Sequence, residues 1–217
     1  MAELLQIHRA GTVPSAPERT RLERRARMLA WGGNVWHVFE FVVAIAAGIT
    51  AGSIALVGFG ADSLVEVLAG TVIVWLFTGG RGSSPAAERR AQQLIAASFF
   101  VLAAYVAAES IRDLVTQEHA NASWVGVALA AVTAPTMPLL ARAKRNVGLQ
   151  LNSSATVNAG AQNMLCAYLS IALLVGLLAN AVLGWWWADP GAALVIAAVA
   201  AREGQASRRG EGCCDEC

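Results

Sequence analysis

Residues 34–77 read NVWHVFEFVVAIAAGITAGSIALVGFGADSLVEVLAGTVIVWLF. Two apolar runs, each long enough to cross a bilayer as a helix, meet at the small-residue turn Thr50, Ala51, Gly52 and Ser53. Within them stand His37, Glu40, Asp62 and Glu66, with Ser53 and Ser63 as softer polar companions. An acid at bilayer depth costs on the order of 2.5–3.5 kcal/mol on insertion scales, so four titratable groups in one hairpin need each other, water or an ion. Asp62 and Glu66 are four apart and lie one turn above the other on a single helical face; His37 and Glu40, three apart, also share a face. Two carboxylates so placed repel unless a cation joins them. One imidazole with carboxylates suits a first-row divalent ion such as zinc, iron(II), cobalt or manganese. The plainer alternative is a set of interhelical hydrogen bonds.

The composition extends this reading to the whole chain. Of 217 residues, 56% are hydrophobic and 14% charged, which is too apolar for a soluble domain of this size. The formal net charge of +1 offers nothing to a nucleic acid. Six apolar stretches can be drawn, at 28–49, 54–77, 94–114, 123–140, within 155–183 and at 190–201. Arg9, Arg19, Arg21, Arg24, Arg25 and Arg27 precede the first. Arg81, Arg89 and Arg90 follow the second, Arg142, Lys144 and Arg145 the fourth, and Arg202, Arg208 and Arg209 the sixth. The alternate connections carry no Lys or Arg, so the positive-inside rule places both termini in the cytoplasm. The predicted fold is therefore all-α, with six transmembrane helices over residues 28–204. A basic cytoplasmic segment, 1–27, precedes them and a cysteine-containing tail, 205–217, follows. The N-terminal segment has no apolar core with a cleavage site and does not read as a signal peptide; with the short arginine-rich loops this fits a bacterial plasma membrane.

Other polar groups have local readings. Gly48, Gly52, Gly58, Gly60 and Gly70 allow close helix packing, and Gly58 and Gly60 would permit a local break before Asp62. Glu109, Arg112 and Asp113 read as an ion-pair cluster at the interface, and Trp185, Trp186 and Trp187 as a headgroup belt. In the fifth stretch Asn158 and Gln162, again four apart, head a polar stripe continued by Asn163, Cys166 and Ser170. Cys166 itself reads as a small apolar residue. Cys213, Cys214 and Cys217, with two acids between them, are candidate metal contacts of the tail. No nucleophile, His-Glu-x-x-His pair or phosphate-binding loop accompanies these groups, so the chain does not read as an enzyme.

With these residues in place, the chain resembles the cation diffusion facilitator family of divalent-metal transporters over roughly residues 28–204. The likeness is strongest in GSIALVGFGADSLVEV, 52–67, and continues in ESIRD, 109–113, and in Ala188, Asp189 and Pro190. The resemblance implies efflux by alternating access, with a zinc-like ion, or cobalt, iron(II), manganese or cadmium, exchanged for protons. It implies that Asp62 and Glu66 are the acidic pair of the second span. It also implies a second ligand pair in the fifth span, a His or Asp followed four later by Asp, whose matching positions are read as Asn158 and Gln162. His37 and Glu40 are candidates to compensate for those amides. The cytoplasmic metal-binding domain that supports homodimers in the family is expected to be missing, with the cysteine tail as a reduced substitute. A membrane-embedded metal sensor that binds without transport is the alternative.

Overall fold

The computed structural model describes residues 15–76, 85–151 and 153–209. The described residues form six helices and no strand: α1 Ala16–Ala51, α2 Ile54–Leu76, α3 Pro85–Thr116, α4 Trp124–Leu151, α5 Ser154–Leu183 and α6 Ala188–Arg209. Helix α1 starts where Pro17 fits the first turn and the Glu18 carboxylate reaches back to accept from the Ser15 backbone N–H, at 2.9 Å, and from its hydroxyl, at 2.7 Å. Those hydrogen bonds favour the ionised carboxylate and hold the Glu18 pKa below its ordinary value. The helix ends at Gly52, whose φ of 67° is the left-handed conformation that glycine adopts without strain.

The distribution of side chains along α1 is that of a helix between lipid and a polar interior. Met28, Val35, Val42 and Ile49 recur every seventh residue and are all exposed, whereas Ala30, Asn34, His37, Glu40, Ala44 and Ala47 are buried. Three described helices, α1, α4 and α5, are long and apolar enough to cross a membrane. Pro135 and Pro138 lie inside α4 without interrupting it. Each lacks the amide that would satisfy the carbonyl one turn earlier, a loss that transmembrane helices tolerate when neighbours re-satisfy it.

Helices α1, α2, α5 and α4 close a four-helix ring in that spatial order, and α3 and α6 pair beside it, with α6 touching both α2 and α5. Phe59, Leu56, Met137, Leu173, Leu177 and Ile196 fill the centre. Asp189, at the start of α6, accepts from the Ser53 hydroxyl at 2.5 Å and from the Ala55 amide at 3.4 Å, tying the first turns of α6 and α2 together.

The two hairpins of the ring turn in the same way. The Ser53 amide donates to the Gly48 carbonyl and the Ser153 amide to the Gly148 carbonyl, each at 2.9 Å; Val57 and Val157 then donate to the carbonyls of Ser53 and Ser153, each at 3.1 Å. A Cβ on Gly48 or on Gly148 would lie 2.8 Å from a methyl of Val57 or Val157, so both turns need glycine there. The α1–α2 and α4–α5 hairpins are thus one pattern repeated at an offset of one hundred residues.

Several expectations change. Helix α2 runs unbroken through Gly58 and Gly60, which pack against Val106 and Ile196 and against Ala44 and Ile45. Arg142, Lys144 and Arg145 do not form a loop, because α4 continues to Leu151, and Lys144 is buried. Arg112 pairs with Glu109 at 2.7 Å, as expected, and with Glu118 at 3.5 Å. Trp185 stacks on Trp187 and Trp186 on His119, all beside the α5–α6 connection.

Candidate metal centre

His37 and Glu40 stand on the buried stripe of α1, and Glu66 projects from α2 into the same space. His37 Nδ1 lies 3.0 Å from Glu40 Oε2 and 2.9 Å from Glu66 Oε2. Glu40 is fully buried and also accepts from the hydroxyls of Ser63, at 3.3 Å, and of Thr133, which reaches it from α4. Glu66 is held less completely: its Oε2 has no aligned hydrogen bond, although His37 is close. A buried carboxylate oxygen without a donor is costly, and a cation would satisfy it.

The fourth member is Cys166 of α5. One ligand atom from each of His37, Glu40, Glu66 and Cys166 can be chosen so that all lie within 4.8 Å of one another, and all four residues are buried. A tetrahedral zinc with bonds of roughly 2.0–2.3 Å spaces its ligands about 3.3–3.8 Å apart, so closure needs a modest contraction. The donor set of one nitrogen, two carboxylates and one thiol fits a borderline ion.

Asp62 is not part of this quartet. It is buried one turn before Glu66 and lines a small cavity with Glu66, Gln162, Phe99, Leu169 and Glu203. Gln162, expected as a ligand, lines that same cavity. The side chain of Asn158 lies outside the described residues, as do Cys213, Cys214 and Cys217.

The hairpin repeat accounts for the difference in the fifth helix. The offset of one hundred residues carries Asp62 onto Gln162 and Glu66 onto Cys166, positions one turn later than the expected Asn158 and Gln162. The twin glycine, serine and valine positions are visible in the sequence and are the signal that would have set this register. Thr133 escaped the sequence reading, which took Asn163 only as part of a polar stripe and Lys144 only as a topology signal. Asn163 Nδ2 lies 3.0 Å from His37 Nε2, and Asn163 Oδ1 accepts from Lys144 Nζ at 2.6 Å.

A helical chain with a lipid-compatible exterior and a buried cluster of groups able to hold a cation has the character of an integral membrane protein. The chain belongs to the cation efflux family: the family's cation efflux transmembrane domain matches residues 36–205. The resemblance carried by residues 52–67, 109–113 and 188–190 is thereby borne out, and the protein is a divalent-cation efflux transporter by family and not an enzyme. No curated protein matches the chain.

Proposed function

We propose that the protein exports a zinc-like divalent cation from the cytoplasm in exchange for protons, by alternating access across six transmembrane helices with both termini inside. The observation that carries this reading is the buried quartet His37, Glu40, Glu66 and Cys166. Imidazole, carboxylate and thiol must each shed a proton to bind a cation and take one up when it leaves, so the same groups handle both substrates. Asp62, one turn from Glu66 and facing the small cavity, would receive the ion before or after the quartet holds it. The thiol favours zinc and cadmium over manganese.

Exporting two positive charges against a potential of 100 mV, negative inside, costs about 4.6 kcal/mol, which proton return offsets. The test is uptake of zinc and cadmium into inside-out proteoliposomes under an imposed proton gradient, comparing the native chain with Glu66→Ala and His37→Ala. Gradient-dependent uptake lost in both variants is expected. Binding without uptake would instead make the protein a sensor.

A further inference from the structure

Lys144 is 95% buried, in the last third of α4, and no carboxylate among the described residues pairs with it. Its hydrogen bond goes to Asn163 Oδ1, and Gly33 of α1 closes over the ammonium so tightly that a Cβ there would lie 3.1 Å from Nζ. An ammonium only donates, so the Asn163 atom facing it is the carbonyl oxygen, and the amide NH2 must point the other way. There it meets His37 Nε2 at 3.0 Å and the Met137 sulfur at 3.3 Å. A ring nitrogen facing an NH2 group accepts. The ring hydrogen is then on Nδ1, where Glu40 Oε2 accepts it at 3.0 Å.

This arrangement is incompatible with a metal on Nδ1. A cation takes the lone pair of that nitrogen, and the neutral ring then carries its hydrogen on Nε2, face to face with the Asn163 NH2. Turning the amide over removes the clash and lets Oδ1 accept from Nε2–H, the usual outer support of a metal-bound histidine. The turned amide, however, presents its NH2 to the ammonium of Lys144.

We propose that Lys144 and a metal-bound His37 compete for the carbonyl oxygen of Asn163, so that Lys144 is a positioning residue that weakens metal binding and hastens release. The inference rests on the quartet being the transport site.

It is tested by zinc titration of the full chain in lipid nanodiscs together with transport in proteoliposomes. Replacing Lys144 with Met removes the competitor, so zinc should bind about 10-fold more tightly. KM and kcat for transport should fall together as release slows. Lys144→Gln, whose carbonyl can accept from the turned amide, should act in the same direction, whereas Lys144→Arg should restore weaker binding. In an Asn163→Leu background, which has no shared carbonyl, Lys144→Met should produce no such tightening. A merely structural lysine predicts the opposite sign, because loosening α4 against α5 would weaken binding. Unchanged or weaker binding in both Lys144→Met and Lys144→Gln overturns the proposal, as does tightening that persists without Asn163. If the native chain itself binds no zinc, the transport-site reading fails and this inference with it.

Discussion

Cys166 decides the character of the quartet. In the proposed site its thiol would be the one soft ligand among three harder ones, and softness separates cadmium and zinc from manganese more than charge or size does. Cys166→Ser should therefore lower cadmium affinity at least about 10-fold relative to manganese, measured by competition on the purified chain. An equal loss for both ions would show that the thiol is not a ligand. At this scale the sequence was legible where geometry is local. His37 with Glu40, and Asp62 with Glu66, follow from helical spacing within one element. Thr133 and Asn163 do not, because their roles depend on how α4 and α5 are rotated against α1, which no spacing within one helix reports.

Rotation between helices is set by the smallest residues. Gly160 of α5 lies against the backbone of α4, where a Cβ would stand 2.9 Å from the Ala141 carbonyl oxygen and 3.1 Å from the Arg145 amide. These are backbone atoms and cannot swing aside. Gly160→Val should force the two helices apart at a cost of about 1–3 kcal/mol, seen as a lower thermal midpoint in detergent. Because Gly160 is between Thr156 and Asn163 on the same helix, zinc affinity should fall with it; a stable, fully binding variant would mean that α4 and α5 approach less closely than described. Helix ends were the less legible feature of these elements. Hydropathy stops near Leu140, but α4 persists to Leu151, since arginine, lysine and glutamine sustain a helix as well as leucine does.

For the molecule as a whole, the six-span plan assigns the α3–α4 connection to the outer surface and the end of α6 to the cytoplasm. Single cysteines placed at Ala122 and Gln205, both exposed, in a chain with serines for its three tail cysteines, should be labelled by an impermeant thiol reagent from opposite sides of the membrane. Labelling of both from one side would break the plan. The expectation rests on charge alternation, which needs no knowledge of packing. The repeat of the two hairpins was equally present but overlooked, because Gly48, Ser53 and Val57 share so little else with Gly148, Ser153 and Val157.

Those twin turns have a consequence for the transport cycle. In a six-span chain α1 and α4 run in opposite directions, so the second hairpin is the first turned upside down. In the proposed alternating-access cycle, exchanging the postures of the two hairpins would convert a molecule open to one side into one open to the other, built from equivalent turns. Neither posture would then need a turn that the other lacks. On that cycle, occupancy by ion or by protons would tip the balance between them.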